Sequence, residues 1–344
     1  MAYQNKPKTS PLMRVLKAFY WIIFAVALVI VLVYAAFRIF VTEPDINNDH
    51  IINTPPVSTG DPVGTETQDP VNTESQPPES PTPMVLHRVN GVYTCLLAGT
   101  DDGNGCADTL MFGVFNTNNK TASLLSIPRD TLVVVNGTQK KINAAYASGG
   151  MELVVQTVEE LLAVPVDYYV SVDLQAFVKI VDEVGGVWFT VPQDMQYSDP
   201  TQDLYIDLKA GYQLLDGENA LDLVRFRSGY ANQDIGRSQT QRDFLTTLIK
   251  QSITLSNASK VTSLIEILNR YVDSDMPLKD MIFFGTAAIG MDLSEALQST
   301  SLPGDWVNPY WELREDEILN IVNSLGIYEE EVPMDALGVH HAAQ

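Results

Sequence analysis

Three clusters of charged residues stand out as able to do chemistry. The first is Gly99-Thr100-Asp101-Asp102, which closes an apolar run, with Asp108-Thr109 opening the next. The second is Ser126-Ile127-Pro128-Arg129-Asp130, followed by Lys140-Lys141-Ile142-Asn143-Ala144. The third runs from Arg225-Phe226-Arg227 through Asp234-Ile235-Gly236-Arg237 to Gln241-Arg242. Planar guanidinium groups grip phosphate oxygens in bidentate fashion, and carboxylates hold magnesium between phosphates. Arginines gathered in an acidic chain therefore point to a local anion pocket. Any one of them alone reads as a surface ion pair worth about 0–1 kcal/mol; the argument rests on the three clusters together.

Absences narrow the chemistry. The four histidines are His50, His87, His340 and His341, so none lies between Arg88 and Val339. Ser-His-Asp catalysis and histidine-based zinc sites are thereby excluded from the core. No CxxC, Walker-type or dinucleotide-binding fingerprint is present. Cys95 and Cys106 leave two readings open: a disulfide across the first loop, or Cys95 as a small apolar strand residue.

Elements must hold these clusters in place. Tyr93 to Ala98, Thr109 to Phe115 and Ala122 to Ile127 read as strands, the last two joined by a hairpin turn at Asn116 to Lys120. Met151 to Leu162 has helical spacing, Asp167 to Val172 reads as a strand, and Gln175 to Val184 is a helix that ends at Gly185-Gly186 before the strand Val187 to Val191. Further helices are expected at Gly217 to Leu223, Gln239 to Ser252, Lys260 to Tyr271 and Asp316 to Leu325. Such alternation favours a sheet covered by helices on both faces. Charged residues at the carboxyl ends of its strands would then face a ligand crevice. Trp306, Tyr310 and Trp311 read chiefly as packing residues, with sugar stacking as the sharper alternative.

Ala18 to Val41 is almost wholly apolar, long enough to cross a bilayer as a helix, and lacks a small-residue cleavage site. Lys6, Lys8, Arg14 and Lys17 precede it without an acidic residue, so the N-terminus is expected in the cytoplasm and the C-terminal part outside. The formal charge of -22 excludes a nucleic-acid partner on electrostatic grounds. Thr42 to Pro83 is rich in Pro, Ser, Thr, Asp and Asn, a composition expected to be a disordered tether.

In this order the clusters resemble the LytR-CpsA-Psr proteins of bacterial cell envelopes. The resemblance is carried by Ser126-Ile-Pro-Arg-Asp-Thr131, Lys141-Ile-Asn-Ala-Ala-Tyr146 with Gly149-Gly150, Val184-Gly-Gly-Val187, Leu215-Asp-Gly-Glu-Asn-Ala-Leu221, Arg225-Phe-Arg227 and Asp234-Ile-Gly-Arg237. It implies an α/β fold, with a mixed central sheet packed between helices, a hydrophobic tunnel for a polyprenyl chain, and one preceding transmembrane helix. It also implies a membrane-anchored, Mg2+-dependent phosphotransferase that moves a glycopolymer (teichoic acid, capsule or similar) from polyprenyl pyrophosphate to peptidoglycan. By motif, Asp101 and Asp108 handle the metal and its water; one carboxylate is also expected to accept the proton of the attacking hydroxyl, with Asp101 as the chosen candidate. Arg129, Arg225, Arg227, Arg237 and Gln241 bind the pyrophosphate, with Lys141 beside them; Asp101, Asp108, Arg129, Arg225 and Arg227 form the expected catalytic set.

The expected division is a cytoplasmic N-terminus (1–17), a transmembrane helix (18–41), a disordered linker (42–86), the catalytic domain (87–255), a helical C-terminal extension (256–329) and a loose tail (330–344). The chain departs from the family pattern at Gly103, Cys106 and Thr240, where arginines are common; Arg242 is a candidate replacement for one of them. Those departures keep two alternatives in view: a non-catalytic module that binds polyprenyl phosphate or wall polymer, and a pyrophosphatase acting on the same lipid.

Overall fold

The computed structural model describes residues 42–53, 83–100, 106–200, 204–230, 233–252, 261–288 and 291–342. The expected membrane span, 18–41, lies outside these residues. Among the described residues no helix is long and apolar enough to cross a membrane.

In chain order the structure begins with β1 (Asp49–Asn53), β2 (Pro83–His87), β3 (Val92–Thr100), β4 (Ala107–Asn116), β5 (Thr121–Ile127), β6 (Leu132–Val135) and β7 (Thr138–Lys141). It continues through α1 (Asn143–Leu162), β8 (Tyr168–Val172), α2 (Leu174–Val184), β9 (Val187–Val191), β10 (Met195–Asp199), β11 (Leu204–Leu208) and β12 (Gly211–Leu215). Next come α3 (Gly217–Arg225), α4 (Gln233–Ser252), α5 (Val261–Tyr271), β13 (Val272–Ser274) and α6 (Leu278–Ala288). Beyond a single short turn of helix, β14 (Leu297–Ser301), β15 (Gly304–Val307), β16 (Tyr310–Leu313) and α7 (Glu315–Ser324) close the fold.

Six strands make one mixed sheet in the order β13-β8-β3-β4-β5-β14. The β3-β4-β5 meander is antiparallel, while β8 and β14 add in parallel on its two sides. The β4–β5 turn forms where the sequence predicts it: the Asn116 side chain accepts the backbone N–H groups of Asn118 and Asn119, both at 3.0 Å. On one face of the sheet Leu96, Ala98, Leu110 and Phe112 bury against α1 residues Val154, Val158 and Leu161. On the other, Met111 and Leu124, with the half-buried Leu97, meet Leu245 and Ile249 of α4. The mixed sheet between helices is thus as expected.

Several boundaries differ from expectation, each for a local reason. Helix α1 starts at Asn143 rather than Met151, but it breaks at Gly149 and Gly150, and the φ of 66° at Gly150 suits glycine. Helix α2 ends as predicted, with Gly185 and Gly186 at φ of 94° and 82° and the Asp173 carboxylate capping its start by accepting the Ala176 N–H at 2.6 Å. Part of the expected linker is ordered: Asp49–Asn53 pairs antiparallel with Pro83–His87, and Ile52 is buried in the main core. The remainder, 54–82, lies outside the described residues. The expected helical extension also contributes strands β13, β14 and β15, among them β14, whose polar alternation Leu-Gln-Ser-Thr-Ser hides a sheet edge, whereas β16 falls within Val307 to Leu313, a stretch that itself reads as a strand. Nor is the tail loose from its start: Val332 and Leu337 are buried, and Glu330 accepts from His87 through both backbone N–H and ring Nδ1.

Both cysteines are free. Cys95 faces Gly113, whereas Cys106 precedes Ala107, the partner of Thr100. That offset of about five residues, ~16 Å of strand, exceeds the reach of a disulfide. Desolvation raises the Cys95 thiol to about 12, in keeping with an inert strand residue.

Candidate functional site

An apolar cavity of about 610 Å³ runs between the sheet and helices α2 and α4. Leu97, Met111, Val170, Phe177, Phe244, Leu245, Leu248 and Ile249 form its walls. Its polar lining includes Asp108, Arg225, Arg227, Arg237 and Gln241. A long hydrocarbon with an anionic end matches both halves of that lining.

Each charged group is held by recognisable local structure. Asp108 is the second residue of β4, where the strand emerges beside the end of β3. Its carboxylate accepts from Arg129 Nη1 at 3.2 Å and from Arg227 Nη2 at 3.3 Å. These contacts are longer than the ~2.7–2.9 Å of a tight charge-assisted bond, so phosphate oxygens can compete for both guanidinium groups. Arg225 ends α3, a helix capped at its start by Asp216, whose carboxylate accepts the Asn219 N–H at 3.0 Å. A cation in a last helical turn also meets the negative end of the helix dipole.

Phe226, between the two arginines, is buried and packs edge-on against Tyr230 at 5.9 Å. The Tyr230 hydroxyl shares a hydrogen bond with the Thr240 hydroxyl at 3.0 Å, which ties the Arg-Phe-Arg segment to α4. Gly236 is required there, because a Cβ would lie 2.5 Å from the Tyr230 ring. Arg237 follows it and is itself buried while lining the cavity. Gln241 brackets the site: its amide donates to the Val224 carbonyl at 2.9 Å and accepts from the Thr109 hydroxyl at 3.1 Å.

The structure brings together Asp108, Arg129, Arg225, Arg227, Arg237 and Gln241. Lys141 stands apart from the cavity walls: its Nζ is 2.8 Å from Asp130 and 5.8 Å from the Trp306 ring centroid. Arg242 does not line the cavity either, and donates instead to Gln239. Asp101 and Gly103 lie outside the described residues. Thr240, one of the departures from the family pattern, turns into the contact between α4 and Tyr230, so that position contributes nothing to the cavity lining. Among the described residues no group of three or more His, Cys, Asp and Glu side chains could hold a metal on its own.

Sequence reasoning misses Asp222, one turn before Arg225 on α3. Desolvation, with help from Glu218, raises its carboxyl to about 6 against the opposing pull of Arg225. A carboxyl whose folded pKa lies above its unfolded value near 3.8 costs stability at neutral pH, and that cost disappears as pH falls through 6 towards 4. Asp222→Asn is therefore expected to stabilise the protein at pH 7.5 by about 1 kcal/mol after allowing for solvent screening. Thermal melts of both proteins at pH 7.5 and pH 4 check this: the gain should be present at the first pH and absent at the second.

Known proteins resemble this chain in sequence and in fold. Residues 60–326 match the LytR_cpsA_psr family. The polyisoprenyl-teichoic acid–peptidoglycan teichoic acid transferase TagV of Bacillus subtilis (strain 168) is 35% identical over 198 residues, covering 55% of this chain and 51% of that protein. The chain thus spans about half the length of that relative. The crystal structure of B. subtilis TagV superposes with a TM-score of 0.60 and 29% identity, covering 69% of this chain and 96% of that one. A structure of TagT bound to LI-WTA superposes with a TM-score of 0.57 and 29% identity, covering 73% and 92%.

Proposed function

This chain belongs to the LytR_cpsA_psr family, and on that footing we propose that its folded domain transfers a glycopolymer from a polyprenyl pyrophosphate carrier to peptidoglycan outside the cell. The observation that carries the reading is the cavity itself, apolar along its walls and edged by arginines and Asp108. The polyprenyl chain lies along Leu97, Phe177, Phe244 and Ile249. Its pyrophosphate sits among Arg129, Arg225, Arg227 and Arg237, which neutralise charge as it shifts from the bridging oxygen to the leaving phosphate.

In the transfer step an acceptor hydroxyl forms a new O–P bond to the polymer-bearing phosphorus as the P–O–P bridge breaks. Polyprenyl phosphate leaves, and the hydroxyl proton passes to a carboxylate, for which Asp101 is the candidate chosen here. Magnesium fits this donor set: Asp108 offers hard carboxylate oxygens beside the phosphate-binding arginines, and magnesium commonly takes one or two carboxylates plus substrate phosphates. Asp108 and Asp101 would hold it, and it would supply further charge neutralisation at the phosphates. An anchor at 18–41 keeps the domain outside the cytoplasmic membrane, where both carrier and wall are found.

The lipid half of this proposal has its own test. Leu245→Trp fills the cavity from α4 at a position packed among Met111, Leu124 and Ile249. Each ligand methylene it excludes is expected to weaken binding by about 0.8 kcal/mol, roughly fourfold. Titration with polyprenyl phosphates of increasing chain length should show wild-type affinity rising with length and the variant levelling off early. Equal affinity of both proteins at every length would remove the lipid from the cavity. Binding without turnover, across several sugars and acceptors, would instead favour a non-catalytic lipid-binding module.

A further inference from the structure

We propose that residues 42–53 are a clasp that fastens the folded domain directly to the membrane-spanning segment ending at Val41, so that the domain rides on the outer bilayer surface without a spacer. The proposal rests on the anchored reading above and concerns how the domain is held, which the transfer reaction does not specify.

Asn53 and Pro83 are direct partners in the β1–β2 pair, and facing residues of an antiparallel pair lie only about 4.5–5.5 Å apart. The Pro/Ser/Thr-rich stretch between them therefore departs from and returns to one point. Whatever its conformation, it adds no distance between the anchor and the domain.

The chain is also pinned closely after Val41. Glu43, two residues on, accepts the Tyr93 hydroxyl at 2.9 Å. Tyr93 is buried, with Phe284 at 5.0 Å and Phe283 at 6.0 Å holding its ring edge-on. Its hydroxyl is thus a fixed point on the domain. Two residues of chain reach at most about 7 Å, so the Glu43 backbone lies next to the end of the membrane segment, with the Tyr93 hydroxyl one side chain and one hydrogen bond beyond it. Further along, Pro44 is buried, the Asn48 carbonyl accepts the Arg88 N–H at 2.8 Å, and Ile52 enters the main core at 7% exposure. On the outer face of the ribbon Ile51 and Val85 are cross-strand partners exposed at 63% and 43%, an aliphatic pair suited to the headgroup boundary.

The test uses the full chain in membranes, with a protease site inserted between Gly60 and Gln76. After complete cleavage the 83–344 part should still sediment with the membranes, held by β1 and Glu43. In Ile52→Asp the cut domain should be lost to the supernatant, while still binding polyprenyl phosphate as proof of folding. Release of the cut wild-type domain would overturn the proposal and restore a tether. Retention that survives Ile52→Asp would place the hold elsewhere and overturn it too. An uncut chain found in the supernatant would refute the anchored reading itself, a distinguishable failure. A second measurement avoids cleavage. Deleting Val57–Ser80 leaves only 54–56 and 81–82 to connect the two strands, and should leave transfer activity unchanged, whereas a fall would mean that the stretch works as a spacer.

Discussion

Arg225→Ala is expected to lower the rate of polymer transfer by about a thousandfold, equivalent to roughly 4 kcal/mol of transition-state stabilisation. The size of the effect follows from its placement. Arg225 lines the cavity at the end of a capped helix, with Phe226 buried beside it and Gln241 hydrogen-bonded to the preceding carbonyl of Val224. The backbone that presents this guanidinium to the cavity is thus set before the reaction begins. Its loss should fall on kcat more than on KM, because charge migrates onto the departing phosphate only in the transition state. Arg225→Lys should recover part of the loss, since charge returns without the bidentate fork. Lys141→Ala is expected to change the rate little, because its ammonium serves Asp130 outside the cavity. Steady-state kinetics on the three variants check both claims. Equal losses at 225 and 141 would move the anion site towards β7.

The largest expected loss of stability lies elsewhere. Arg88 and Asp167 form a bidentate ion pair in which both side chains are almost fully buried. Arg88 also donates to the Val92 carbonyl at 3.0 Å, and Asp167 accepts the Thr94 N–H at 2.8 Å, so the pair joins the end of β2 to β3 and β8. Removing one partner leaves the other charge buried and uncompensated, which costs about 3–5 kcal/mol. Arg88→Ala should therefore lower Tm by on the order of 10 °C, read by calorimetry. An unchanged melt would mean that water reaches Asp167. By contrast, replacing both partners together, Arg88→Met with Asp167→Leu, should cost far less, since a buried ion pair gains little over good packing.

How much of this is legible in the sequence depends on the kind of signal. The three strands of the meander, α2 with its glycine stop, and the arginine clusters are readable, because apolar period and motif spacing act within one segment. The convergence of Asp108 with Arg129 and Arg227 is not visible in periodicity; it is expected only from motif resemblance, and the sheet order realises it. Residues 49–53 read as linker because Ile51-Ile52 is a very short apolar signal inside polar composition, and its partner strand comes only at Pro83–His87. Strand β14 escapes notice because an edge strand with alternating Ser, Thr and Gln looks like a loop. Lys141 is misplaced for a different reason. Sequence proximity to Arg129 suggests a shared pocket, but the β6–β7 ribbon carries the lysine to Asp130. Asp222 leaves no mark in the sequence because its altered acidity comes from burial in three dimensions. The cavity is hidden from periodicity too, since its lining uses the residues of ordinary core, and it is expected only from the motif resemblance.

The most direct test of the central claim is a transfer assay with the full chain in lipid vesicles. A polyprenyl-pyrophosphate glycopolymer serves as donor, peptidoglycan as acceptor, and Mg2+ is present. Covalent attachment of polymer to peptidoglycan, with polyprenyl phosphate released in equal amount and both lost in Asp108→Ala and Arg225→Ala, is the result expected here. Release of polyprenyl phosphate with the polymer freed as its phosphate ester and none attached to peptidoglycan, or attachment that survives both substitutions, would contradict it.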